Sequence, residues 1–184
     1  EDMLQFPRMS TDGHSPLYLA PSTIRFCPLC ASDLVWVPVP PDQKEEAVCS
    51  ACGFVFYLTP KIVAGTIPAE DGRILLVRRN INPSKGKWTF PGGFVDWGET
   101  VTSAALRETL EETGLRVDLG GLVGVYSYAE PPVVIVVYRA RVAGGALQLN
   151  HEIQEFAWLA PRDIPWDDLA FPSTRQALSD FLSR

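Results

Sequence analysis

Four cysteines in two matched pairs constrain this chain more than any other feature. Cys27-Pro-Leu-Cys30 and Cys49-Ser-Ala-Cys52 are both CxxC, with eighteen residues between them. Each CxxC can set two sulfurs on one edge of a tetrahedron, and the spacing is that of a four-cysteine zinc site. The intervening "DLVWVPV" and the following "FVFY" read as short strands joined through a charged turn, "PDQKEE", so a zinc ribbon over residues 25–57 is expected. The competing readings are two disulfides or four unrelated thiols. A ribbon this small lacks a core able to hold it, so Zn2+ serves folding, and four thiolates leave no open position for a substrate.

The remaining 127 residues, 58–184, are long enough for one sizeable core. Residues 1–24 show no sustained period and read as an extension, or else as a strap packed through Leu17, Tyr18 and Leu19. No apolar run reaches the length of a membrane span; the longest, "VVIVVY" from Val133 to Tyr138, suits a buried strand. No signal peptide is visible, which together with thiolate ligation points to the cytoplasm. A net charge of -6 and a pI near 4.9 argue against a general nucleic-acid binder. They leave open a phosphorylated small molecule, because a bound cation can supply the positive charge.

From Tyr57 onward the pattern alternates. "KIVAGTIPAEDGRILLVRR" reads strand, turn, strand; "KWTFPGGFVDWGET" a short strand and a glycine-rich loop; "TVTSAALRETLEET" a helix. Three further strands follow in "RVDLGGLVGVYSYAE", "PVVIVVYRARV" and "EFAWLA", and "PSTRQALSDFLS" reads as a closing helix capped by Ser173 or Thr174. Mixed strands with one helix in the middle and one at the end indicate an α/β layered domain.

The first helix crowds its acids. On a helix over residues 101–113, Glu108, Glu111 and Glu112 share one face at about 100° per residue. Leu106 and Leu110 then point the other way to anchor it, while Ala104 and Ala105 leave room beside the carboxylates. Gly114 ends the helix as a left-handed residue. Three carboxylates on one face form a hard oxygen site suited to Mg2+ or Mn2+. "PGGFVDWGE" lets the backbone bend and bring a carbonyl to the same place, with Glu99 at the loop-helix boundary. Arg107 can hold two carboxylates by bidentate hydrogen bonds.

Gly93, five residues, Glu99, seven residues, then Arg107-Glu108-x-x-Glu111-Glu112-x-Gly114 and Leu115 specify seven identities whose chance match is on the order of one in 10⁸ per window. This stretch resembles the Nudix box, the signature of hydrolases that cut nucleoside diphosphates linked to another moiety. It departs at Thr109, where the family usually has an aliphatic residue whose space a threonine methyl largely fills. The resemblance implies a Nudix α/β/α sandwich with a mixed sheet over residues 58–184. It also implies a divalent cation held by Glu108, Glu111 and Glu112 with the Gly93 backbone, these glutamates being oriented by Glu99 and Arg107. For the general base, Glu108, Glu152 and Glu155 are the candidates, with Glu155 favoured.

A four-cysteine ribbon ahead of such a domain looks like the NADH pyrophosphatases, but where those carry SQPWPFP this chain reads "YSYAEPPVVIVVY". The ribbon, "YLTPK", "RRNINPSKGKWTFPGGF" and "DIPWDDLAF" look more like FAD pyrophosphatases and their bacterial relatives. Pro131, sixteen residues past Leu115, resembles a proline of ADP-ribose pyrophosphatases. The implied reaction is hydrolysis of an ADP-linked metabolite (ADP-ribose, FAD or NAD(H)) to AMP and a second phosphate ester. The alternatives are a non-catalytic ligand sensor or protein-contact module, and removal of an NAD-type cap from RNA. Arg78 or Arg79 is a candidate for a phosphate, with strand alternation aiming the other elsewhere. Trp88, Phe90, Tyr126 and Tyr128 are candidates to stack on a base, and Glu152 lies beside the substrate. Many enzymes of this kind are homodimers, with "VVIVVY" or the N-terminal extension as candidate interfaces.

Overall fold

The computed structural model describes residues 21–183. The extension at 1–20, with Leu17, Tyr18 and Leu19, lies outside the described residues. The chain divides at Pro60 into two units, each taken by itself.

The first unit is a three-stranded antiparallel sheet of β1 (Leu34–Val39), β2 (Lys44–Cys49) and β3 (Val55–Phe56), in the order β1-β2-β3. Its turn is shorter than the sequence suggests. Lys44, Glu45 and Glu46 belong to β2 rather than to the connection, and Val39 pairs with Lys44. Lys44 and Glu45 are exposed, while Glu46 is buried and is neutralised at 3.0 Å by Lys44, its neighbour two residues back on the same face of the strand. Cys27, Leu34, Ala47 and Cys49 form a small core, with Ile24, Trp36, Phe54 and Phe56 packed on it.

The second unit is a mixed seven-stranded sheet. Its strands are β4 (Lys61–Glu70), β5 (Arg73–Arg79), β6 (Trp88–Thr89), β7 (Gly92–Phe94), β8 (Leu115–Tyr128), β9 (Val133–Gly145) and β10 (Ile153–Leu159). The main order is β10-β5-β4-β9-β8, with β4 and β9 parallel and the other neighbours antiparallel. β4 and β5 pair only beside their turn, at Ala69–Ile74 and Glu70–Arg73. Farther along, β7 pairs with β4 and β6 with β5, so these two short strands fill a wedge in the sheet. The glycine-rich stretch is therefore strand as well as loop. Gly92 pairs with Gly65, and a Cβ on Gly92 would sit 2.6 Å from Gly65 Cα.

Two helices cover opposite faces. On α1 (Val101–Thr113), Thr109 bonds Thr66, while Tyr138, register partner of Thr66, packs on Ala104 and Ala105. Arg139, the next residue on β9, instead donates to Phe181 O of α2 (Pro172–Leu182). Successive strand residues face opposite sides, so α1 and α2 sandwich the sheet. Thr100 caps α1 by accepting from Ser103 N at 3.1 Å, and Gly114 ends it at φ 73°.

Two packing expectations are corrected. Leu106 and Leu110 do not anchor α1: they are 38% and 45% exposed, while Ala104 and Ala105 are fully buried against Ala64. The helix lies so close to the sheet that small residues fit the contact and leucines do not. Ser173 and Thr174 do not cap α2. It starts at Pro172, whose missing N–H needs no acceptor, and Thr174 is buried with its hydroxyl 3.0 Å from that of Thr89.

Candidate active site

The cap and the left-handed stop fix α1 so that residues 107, 108, 111 and 112 meet the wedge. Arg107 organises them. Its Nε and Nη2 each donate to the Glu99 carboxylate at 2.9 Å, Nη1 donates to Glu108 at 2.8 Å and to Glu111 at 3.3 Å, and Nη2 also reaches Phe94 O at 3.0 Å. Arg107 consequently holds Glu99 below the usual carboxylate range, and Glu99 in turn raises Arg107.

Glu108 lies against Gly93, where a Cβ would stand 2.5 Å from both carboxylate oxygens. Gly93 is required by this close approach. Glu112 is buried, with Oε2 accepting from Gly92 N at 2.9 Å. Burial pushes its carboxyl up to about 8, against the Gly92 hydrogen bond, with Glu108 and Glu152 adding repulsion and Arg79 opposing it. Burial likewise raises Glu108, against Arg107. Glu111 is at the rim, its side chain 57% exposed. The three carboxylates share one face, but their oxygens do not close into one tight ligand set. Among the described residues only the four cysteines do that. Like charges separate onto their own donors, Glu108 and Glu111 on Arg107 and Glu112 on the Gly92 N–H.

Beyond the helix, the two arginines diverge as alternation requires. Arg78 donates to Gly86 O at 2.7 Å and to Glu155 at 3.2 Å, and lies over the Trp88 ring. Arg79 faces the acids. Its charge acts on Glu112 and Glu152, its Nε donates to Pro83 O at 2.8 Å, and its guanidinium lies over Phe171. Its two Nη groups have no hydrogen-bond partner among the described residues. Glu152 raises both Glu108 and Glu112, whereas Glu155 is engaged with Arg78. Phe90 and Tyr126 are core side chains. Phe90 packs on Gly65, and the Tyr126 hydroxyl donates to Asp180 at 2.8 Å. The Tyr128 hydroxyl donates to Gln176, and Trp88, half-buried, bridges to Leu169.

Asn150 was not singled out from the sequence. Its Nδ2 donates to Glu111 O, and its Oδ1 accepts from the N–H groups of Glu152 and Ile153. It ties the end of α1 to the turn that carries Glu152. An asparagine before a strand, able to close such a turn on itself, was the available signal.

In the ribbon, Sγ–Sγ separations are 3.7 Å for Cys27–Cys52, 3.5 Å for Cys30–Cys49 and 3.6 Å for Cys30–Cys52, and all four thiols are free. Zinc–sulfur bonds of about 2.3 Å give a tetrahedral edge of about 3.8 Å, so the donor set fits Zn2+. Leu29 N and Cys52 N donate to Cys27 and Cys49 Sγ at 3.4 Å each. Ser32, through its backbone and then its hydroxyl, draws the Cys30 thiol below its ordinary value.

The NUDIX domain family model matches residues 59–181, around this glutamate helix. The chain belongs to the Nudix family. A second model, Nudix N-terminal, the family's zinc ribbon, matches residues 25–58. The family is one of hydrolases that generally use a divalent metal ion. An ADP-ribose pyrophosphatase of Methanocaldococcus jannaschii is 38% identical over 113 residues, 59% of this chain and 67% of that protein. The NAD-capped RNA hydrolase NudC of Chromobacterium violaceum is 32% identical over 77% of this chain and 52% of that protein. A MutT-like protein of Streptomyces ambofaciens is 38% identical over 55% of this chain and 64% of its own length. The chain thus spans about half to two thirds of these relatives. A crystal structure of a Nudix hydrolase from Nitrosomonas europaea superposes with a TM-score of 0.80 at 32% identity, covering 86% of this chain and 90% of that one. No helix among the described residues is long and apolar enough to cross a membrane.

Proposed function

We propose that the protein is a Mg2+-dependent pyrophosphatase that cuts the diphosphate of an ADP-linked metabolite, releasing AMP and a second phosphate ester. The observation that carries this reading is the set of glutamates gripped by Arg107 against the Gly92–Gly93 backbone, with the open Arg79 fork beside it. Glu108, Glu111, Glu112 and the Gly93 carbonyl are the groups to hold the cation. When bound, it neutralises the diphosphate and acidifies a water.

The chain's own residues do the rest. Arg107 keeps Glu108 and Glu111 in place. Arg79 offers two Nη donors to a phosphate oxygen pair. Glu152 takes the proton of the attacking water, since Glu155 is committed to Arg78. The water oxygen bonds to one phosphorus, the bridging P–O bond breaks, and the leaving phosphate carries off the electron pair. In this reading Zn2+ sits on Cys27, Cys30, Cys49 and Cys52 as a folding element, in a reducing, cytoplasmic compartment.

The relatives named as acting on ADP-ribose and on NAD-capped RNA support the ADP-linked class and leave its second half to experiment. The full chain is incubated with Mg2+ and, separately, ADP-ribose, FAD, NADH, NAD+ and an NAD-capped RNA, with Glu112→Gln as control, and AMP or capped-end release is read by chromatography. AMP from one small substrate, lost in the control, is expected. Release only from the capped RNA moves the substrate class to RNA ends. No product from any of them, in folded, zinc-loaded protein, sinks the ADP-linked reading.

A further inference from the structure

The metal helix and the glycine strand are joined through one buried point that carries two hydroxyls. Thr66 of β4 and Thr109 of α1 are both fully buried, with their Oγ1 atoms 2.7 Å apart. Thr109 Oγ1 also lies 2.7 Å from Ala105 O. A carbonyl only accepts, so the single hydroxyl hydrogen of Thr109 goes to Ala105, and Thr66 is the donor within the pair. The backbone N–H of Thr66 donates to Pro91 O at 3.0 Å. One strand residue therefore grips the loop one position before Gly92 and the helix one position after Glu108. Gly92 in turn donates to Glu112, and Gly93 backs directly on Glu108. A small slide of α1 along β4 is passed to both carboxylates at once.

Two buried hydroxyls are costly unless each meets the other, so the contact holds its geometry only when both sides match, hydroxyl to hydroxyl or apolar to apolar. The aliphatic residue that the box resemblance leads one to expect at position 109 would strand the Thr66 donor. We infer that Thr66 and Thr109 are a matched positioning pair that sets Glu108 and Glu112 on the Gly92–Gly93 backbone and thereby tunes the divalent-cation affinity of the site, an inference that rests on the metal-dependent reading above. Both are positioning residues: neither hydroxyl is offered to substrate or cation.

The asymmetry of the pair makes the test directional. Mn2+ binding is followed by the electron paramagnetic resonance of the free ion, on full-length, zinc-loaded protein, with thermal midpoints in parallel. Thr109→Val strands a buried donor and is expected to weaken Mn2+ roughly tenfold, the scale of lost support behind metal ligands. Thr66→Val leaves only an acceptor unmet and is expected to weaken it less. The Thr66→Val, Thr109→Val double variant restores a matched contact and recovers most of the affinity. Thr66→Ser and Thr109→Ser, which keep the hydroxyls, stay near the wild type.

A Thr109→Val protein that melts earlier yet binds Mn2+ as the wild type does would make the pair mere packing and overturn the inference. So would a double variant weaker than either single one. Should a valine variant fail to fold, the serine variants decide, since loss of Mn2+ affinity with the hydroxyl retained is equally fatal. Wild-type protein that binds no Mn2+, or binding indifferent to Glu112→Gln, removes the site reading itself and the inference with it. That result is distinct from a failure confined to the threonines.

Discussion

Arg107 holds Glu99 in a two-pronged grip, Nε and Nη2 each 2.9 Å from one carboxylate oxygen. That grip leaves Nη1 aimed at Glu108, 2.8 Å away. Lysine has the charge but not the fork, and reaches one carboxylate at a time. Arg107→Lys is therefore expected to keep the fold while lowering kcat/KM roughly 10- to 100-fold, through a weaker apparent Mg2+ affinity. Titrating activity against Mg2+ checks it. An unchanged Mg2+ requirement with a reduced thermal midpoint would assign Arg107 to stability alone.

The two glycines of the wedge should fail differently. A Cβ on Gly92 meets backbone, Ala64 O at 2.7 Å and Gly65 Cα at 2.6 Å, which cannot move without opening the sheet. Gly92→Ala should cost about 1–3 kcal/mol of stability, the range for overpacking. The nearest atoms to a Cβ on Gly93 are all at the far end of the Glu108 side chain. Gly93→Ala should melt close to the wild type and lose activity as Glu108 swings away. Urea unfolding and AMP release, measured on both, separate the cases. Equal stability losses would count against this division.

The parts of the site written close together in the chain could be read from it. Thr100 and Gly114 are the local chemistry of a helix start and stop, and Glu99, Arg107 and Glu108 lie within one loop and two turns. Distance between elements could not be read. Leu106 and Leu110 look like anchors by hydropathy, but the separation of α1 from the sheet decides, and it admits Ala104 and Ala105 instead. The Thr66–Thr109 pair spans 43 residues, and Asn150 reaches Glu111 across 39. Sequence spacing carries no trace of such contacts. Strand alternation separated Arg78 from Arg79 but not which one faces the acids, because that depends on the register of β5 with β10, where Arg78 opposes Glu155.

The ribbon should depend on its metal outright. Among the described residues its buried apolar core comprises only Cys27, Leu34, Ala47 and Cys49, and two of these carry the ligand sulfurs. Zinc in such a setting contributes about 10–16 kcal/mol of apparent folding free energy at neutral pH. A thiol-competitive chelator, or Cys49→Ser, is expected to melt residues 27–56 and make the remaining thiols titrate freely, with about one zinc per chain released. Metal analysis and hydrogen exchange of the β1–β2 amides report this. Exchange protection that persists after zinc is gone would contradict it.

Glu112 gives the enzyme a pH signature in the absence of divalent cation. Its folded carboxyl sits at about 8 against an ordinary 4.5, chiefly through burial. Between those values the folded state keeps a proton that the unfolded chain has released. The unfolded state therefore binds fewer protons, and stability falls as pH rises, by up to about 1.4 kcal/mol per pH unit. The stabilising contribution is complete below the unfolded value and is lost as pH climbs through the folded one. A divalent cation takes the ionised carboxylate and must displace that proton, so Mg2+ should flatten the profile and release a proton on binding below about pH 8. Glu112→Gln stays neutral at every pH. It is expected to be more stable than the wild type at pH 8 without Mg2+, and nearly equal to it at pH 5. Urea midpoints from pH 5 to 8.5, with and without Mg2+, measure the effect. A metal-free wild-type slope that survives Glu112→Gln would show that another group carries it.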